Sequence, residues 1–103
     1  MSRPSLLAND DVARWLSEHE RWRLEEGHLV TELKTKDYAS GADIVMAQVA
    51  LANRLEHHPM LTLGYRELRT EVWTHDQGGI TSLDLEYANG FDQLLEGFGD
   101  VLS

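Results

Sequence analysis

Two periods alternate along the chain. After a loose lead-in at "SRPS", Val12, Trp15, Leu16 and His19 recur at helical spacing, with Asn9 and Asp10 as candidate N-caps. This predicts a helix over Asp10–Glu18. At "WRLEEGHLVTELK" the period drops to two: Leu29, Thr31 and Leu33 alternate with Val30, Glu32 and Lys34. A hairpin is predicted there, Trp22–Glu25 followed by His28–Thr35, with "EEGH" as its turn. Asp37 then caps a second helix that runs to about Leu55. Ile44, Ala47, Leu51 and Leu55 form one stripe on it, and Val45, Met46, Val49 and Ala52 form another beside it. A helix apolar over so much of its circumference is expected to be covered on two sides. In so small a domain one side is assigned to a sheet and the other to a second subunit. Helix 37–55 is therefore the expected homodimer or homotetramer surface, against the plain alternative of a central core helix.

Pro59 is incompatible with continuing that helix and holds His58 extended. "LTLGY" and "ELRTEVWT" read as a second hairpin, with Gly64 near the bend. Leu68, Thr70, Val72 and Thr74 share one face of the latter strand; Arg69, Glu71, Trp73 and His75 share the other. "HDQGG" is expected to be a loop. Thr81 and Asp84 resemble a capping box. Tyr87, Ala88, Phe91, Leu94, Leu95 and Phe98 give the last helix an apolar face, and Gly97 and Gly99 are expected to end it. The predicted order is α-β-β-α-β-β-α: one α+β domain over residues 1–103, a four-stranded antiparallel sheet with three helices on one face.

Composition narrows the function. The 103 residues are 42% hydrophobic, enough for one modest core. Eighteen acidic against nine basic residues give a net charge of −9, which argues against nucleic-acid partners. With no cysteine, disulfides, thiolate metal sites and cysteine nucleophiles are excluded. The longest apolar run, "IVMAQVALA", is too short for a membrane span, and no signal-peptide core is present. A cytoplasmic location is expected.

Three of the five histidines, His57, His58 and His75, fall between Glu56 and Asp84. His57 and His58 follow a helix end, where side chains are expected at the rim of the fold; His75 ends a strand. Three readings are open. The histidines are plain surface residues; or they hold a metal, with Asp84 as a fourth ligand; or they form an acid–base site, since imidazole with a pKa of about 6.5 exchanges protons near neutrality.

The spacing of these residues resembles the pterin-4a-carbinolamine dehydratase family. That pattern is an acidic residue, three positions, His-His-Pro, five or six positions, an aromatic, nine positions, His, and an Asp some eight or more later. Here it is met by His57, His58 and Pro59, then Tyr65, His75 and Asp84. "THDQGGITSLD", "VALANRLEHHP" and Trp22 extend the similarity over nearly the whole chain. The resemblance implies dehydration of 4a-hydroxytetrahydropterin to quinonoid dihydropterin without a metal or other cofactor. It implies His57 and His75 as the acid–base pair and His58 as a positioning group. Asp84 would orient a histidine. Pro59 and Trp73 would join His58 in binding the pterin.

Two positions depart from the pattern: Asn53 stands where the family has an acidic residue, and Met60 where an acidic residue is common. An amide hydrogen-bonds, but it does not stabilise an imidazolium as a carboxylate does. Some family members act as interaction proteins: a dimerisation cofactor of a homeodomain transcription factor in animals, and a Rubisco assembly factor linked to α-carboxysomes in some autotrophic bacteria. The resemblance therefore carries a second expectation, a non-catalytic scaffold whose partner is Rubisco or a hydroxylase and whose location is carboxysome-associated.

Overall fold

The computed structural model describes residues 5–103. Of the predicted lead-in Ser2–Ser5, all but Ser5 lies outside these residues. The order is α1 (Asn9–Ser17), β1 (Arg23–Glu25), β2 (His28–Lys34), α2 (Tyr38–Leu55), β3 (Met60–Gly64), β4 (Glu67–Val72) and α3 (Ser82–Leu95), with short 3-10 turns at His75–Gln77 and Glu96–Val101. The four strands form one antiparallel sheet in the order β1-β2-β4-β3, and the helices pack on one face, as the two periods predict.

The inner face is the alternation read from the sequence. Leu29, Thr31 and Leu33 of β2 stand opposite Val72, Thr70 and Leu68 of β4, and all six are buried. They meet Ile44 and Leu51 of α2 and Tyr87, Ala88 and Phe91 of α3 in one core. A buried amide lies inside it. Gln48 Oε1 of α2 accepts from Thr70 Oγ1 at 3.1 Å and from Tyr87 Oη at 2.9 Å. The two hydroxyls fix the rotation of α2 against both β4 and α3, because displacing either leaves a buried polar group unpaired. Burial pushes the Tyr87 hydroxyl well above its usual pKa, so it remains a donor. Gln48 sits nine residues before His57 and Tyr87 three after Asp84, so this cluster sets how the end of α2 meets the start of α3.

Several local expectations are corrected. Asn9 and Asp10 are not N-caps: Ala8 occupies that position without a side-chain bond, and the acids Asp10 and Asp11 lie in the first turn, where they complement the helix dipole. Gly97 and Gly99 lie beyond the end of α3 and do not cap it. The α-helix already ends at Leu95, and two short 3-10 pieces separated by a kink at Phe98 (φ −120°, ψ 15°) carry the chain on to Val101; the tail then returns to β2 through the Thr35–Leu102 bridge and a bond from Ser103 N to Lys34 O. Asp37 and Thr81 cap α2 and α3 as expected, the latter in a full capping box with Asp84.

Of the two stripes on α2, the first turns inward through Ile44 and Leu51. The second divides: Ala52 is buried, whereas Met46 is 65% exposed and Val49 is also exposed. Met60 and Tyr65, at the two ends of edge strand β3 and its turn, are exposed as well. Among the described residues no helix is long and apolar enough to cross a membrane.

Candidate active site

The end of α2 brings the first two histidines into place. The helix stops at Leu55, four residues before Pro59, because Glu56 adopts left-handed geometry (φ 53°, ψ 39°). Its N–H reaches Asn53 O, and His57 N reaches Ala52 O at 3.1 Å. This is a Schellman motif with glutamate in the position that glycine prefers. Pro59 therefore follows the stop instead of causing it. The turn reverses the chain sharply enough to send His57 and His58 in different directions.

His57 is not at the rim. It is only 9% exposed, and its Nε2 lies 2.6 Å from Oδ1 of the fully buried Asp84. The other Asp84 oxygen accepts from Thr81 N and from Thr74 Oγ1, both at 2.8 Å. Thr74 Oγ1, having donated, accepts from Thr81 Oγ1 at 2.7 Å. A carboxylate only accepts, so His57 Nε2 is the donor to it. That fixes the tautomer: Nδ1 is the one ring nitrogen of His57 left to exchange a proton. Asp84 is thus a helix cap and a histidine partner at once, with one oxygen for each task.

His58 is exposed, and its Nε2 lies 3.2 Å from Oδ1 of Asn53. The amide oxygen accepts from His58, so the departure from the family pattern falls on the second histidine, not on His57. His75 opens the 3-10 turn after β4 and is exposed. Gly78, at φ 72°, closes that turn by donating to Thr74 O and His75 O, and Thr74 bridges to Gly79. The stretch predicted as a loop is therefore a hydrogen-bonded turn. Trp73 is half-buried beside His75, with ring centroids 4.3 Å apart.

These pieces surround a cleft of about 260 Å³ lined by Glu56, His57, His58, Thr74, His75, Asp76 and Leu83. The three predicted histidines converge on it. Asp84 stands behind His57, while Pro59 and Trp73 adjoin lining residues without lining the cleft themselves. The sequence reading missed Thr74, which was assigned only to the buried face of its strand. A threonine on that face one residue before His75 was the available signal. It also missed Glu56, whose backbone places both histidines. Among the described residues no group of three or more His, Cys, Asp or Glu is arranged to hold a metal ion.

Known proteins resemble this chain in sequence and in fold. Residues 5–94 match the family described as pterin 4 alpha carbinolamine dehydratase. A relative from Metallosphaera sedula carrying a pterin-4-alpha-carbinolamine dehydratase description is 35% identical over 88 residues, covering 85% of this chain and 92% of its own. One from Natronomonas pharaonis, described likewise, is 36% identical over 90 residues, covering 87% and 96%. The crystal structure of a transcriptional coactivator/pterin dehydratase from Brucella melitensis superposes with a TM-score of 0.80 at 21% identity, covering 84% of this chain and 95% of that one. A pterin dehydratase-like protein identified as a RuBisCO assembly factor in the alpha-carboxysome gives 0.58 at 17% identity, covering 72% and 86%. These two likenesses concern the fold; the family profile and the sequence relatives carry the assignment, and the chain belongs to the pterin-4a-carbinolamine dehydratase family.

Proposed function

We propose that the protein dehydrates 4a-hydroxytetrahydropterin to quinonoid dihydropterin by metal-free acid–base catalysis, with histidines exchanging protons with the substrate. The observation that carries this reading is the 2.6 Å contact of His57 Nε2 with buried Asp84, in a cleft that His75 and His58 also line. In the reaction the C4a–O bond breaks with its electron pair, and the departing hydroxyl takes a proton to leave as water. The N5–H bond gives its proton to a base, and its electron pair becomes the C4a=N5 double bond. No electron is gained or lost overall, so one acid and one base meet the chemical need. His57 Nδ1 and His75 are assigned these two tasks. His58 positions the pterin, with Pro59 restricting its backbone.

The test is a dehydratase assay on freshly generated 4a-hydroxytetrahydropterin. A rate above the uncatalysed background supports the reading; background rate alone removes it.

A second reading has its own observations. Asn53 gives His58 a neutral partner, and Met46 and Val49 on α2, together with Met60 on β3, are apolar and exposed. Such a surface fits a protein partner: another copy of the chain, or a larger assembly of the kind its RuBisCO-associated fold relative serves. The homo-oligomer is the form proposed here, and it is compatible with either activity. Light scattering of the wild type should give a dimer or tetramer mass, and Met46→Asp should lower it. A monomeric wild type would sink the oligomer proposal.

A further inference from the structure

A histidine that the family motif does not use is tied to the cleft by ring stacking. Leu29 of β2 pairs with Val72 of β4, and carrying that antiparallel register one step outward sets His28 opposite Trp73 on the outer face of the sheet. The rings stack with centroids 3.8 Å apart and planes 7° from parallel. His75, two residues beyond Trp73, lies 4.3 Å away at a 36° tilt. Two imidazoles at these separations do not fit side by side on one indole face, so Trp73 is held between them.

The outer end of the row is anchored. His28 Nδ1 lies 3.1 Å from Glu71 Oε2, and Glu71 Oε1 accepts from Arg69 Nε at 3.0 Å. The inner end is not: His75 is exposed, and no hydrogen bond to another described residue holds its ring. Its orientation toward the cleft therefore depends on the indole, and the indole's on His28.

We infer that His28 is a positioning residue for His75, acting through Trp73. The inference rests on the acid–base role proposed for His75. An exposed histidine explores several rotamers, and a proton-transfer group displaced by about 1 Å can lose on the order of a hundredfold in rate. A three-ring row anchored at Glu71 restricts that freedom. It also allows the cleft's exposed histidine to sit on a short turn instead of a regular element, which is otherwise a poor support for a reacting group.

The experiment uses full-length protein with isotopically labelled histidine, and the variants His28→Ala, His28→Phe and His28→Gln. Phenylalanine keeps the stack and loses the Glu71 bond; glutamine keeps a donor for Glu71 and loses the stack. The ring protons of His75, shifted by the indole ring current in the wild type, should move toward exposed-histidine positions in the alanine and glutamine variants and return in the phenylalanine variant. The dehydratase kcat should follow the same order, falling several-fold with KM within about twofold. Unmoved His75 signals in His28→Ala overturn the inference. So does equal rescue by phenylalanine and glutamine, or a shifted His75 with unchanged kcat. Should the wild type lack dehydratase activity, the resonances alone still decide the positioning, while the assay removes the functional reading.

Discussion

His57 and Asp84, 27 residues apart in sequence, meet at 2.6 Å where the end of α2 crosses the start of α3. The contact makes His57 a structural residue as well as a candidate catalytic one. His75, exposed on its turn, has no comparable burden. His57→Ala should therefore cost about 2–4 kcal/mol of stability, because Asp84 stays buried without its imidazole partner. His75→Ala should stay within about 0.5 kcal/mol of wild type. Both should lower the dehydratase rate by roughly a hundredfold or more. Chemical denaturation alongside the activity assay separates the two effects.

Thr74 extends the same argument one residue deeper. Thr74→Val keeps the shape and removes the hydroxyl donated to Asp84 Oδ2. Asp84 and Thr81 each lose a partner, at a cost of roughly 1–3 kcal/mol. The rate should fall less than in His57→Ala, since Asp84 still holds His57 through its other oxygen. A rate equal to wild type would show that Asp84 orients His57 without help from Thr74.

Asn53 accepts from His58 as a neutral amide. Asn53→Asp offers a charge-assisted bond in its place, about twice as strong. A firmer hold on His58, which positions the pterin, should raise kcat/KM several-fold. An unchanged kcat/KM over the pH range would show that the neutral amide already meets the needs of this cleft.

Glu26 and Gly27 form the two-residue turn between β1 and β2, both with positive φ (48° and 80°). That turn geometry favours Asn-Gly, because asparagine tolerates left-handed backbone better than glutamate. Glu26→Asn should stabilise the protein by about 0.5–1 kcal/mol without changing activity. A thermal melt reads the first and the dehydratase assay the second.

The outer face of the sheet carries a charge lattice centred on Arg69, which reaches Glu25, Glu32 and Glu71. The Glu71 carboxyl is held below its ordinary value, first by the His28 bond and then by Arg69; Glu25 is lowered first by Arg69 and then by Arg23. A carboxylate whose folded pKa is depressed contributes stability that is fully present above its unfolded value. For both glutamates that value is near 4.5, and the contribution is lost as pH falls toward the lower folded value. Arg69→Ala should therefore flatten the acid side of the stability profile below about pH 4.5. These groups are only partly buried at the surface of the sheet, so the difference should be small and shrink with added salt. Urea midpoints at neutral and acid pH, each at two salt concentrations, measure it.

Much of this fold is written locally. The change of period from 3.6 to two and back marks each element, the Leu68-Thr70-Val72-Thr74 alternation names the inner face of β4, and Thr81 with Asp84 announces the start of α3. The spacing of His57, His58, Pro59, His75 and Asp84 identifies the family. Such signals depend on residues a few positions apart, whose geometry the backbone sets by itself. The tertiary structure decided which partner each site residue takes. His57 is buried on Asp84 and His58 turns to Asn53 because Glu56 reverses the chain between two helices whose crossing Gln48 fixes. His28 reaches the cleft's support only because β2 and β4 are neighbours in one particular register. Apart from the local His58–Asn53 bond, those pairings join residues 22 to 45 positions apart. Helix crossing and strand register bring them together, and neither follows from the period of a single element.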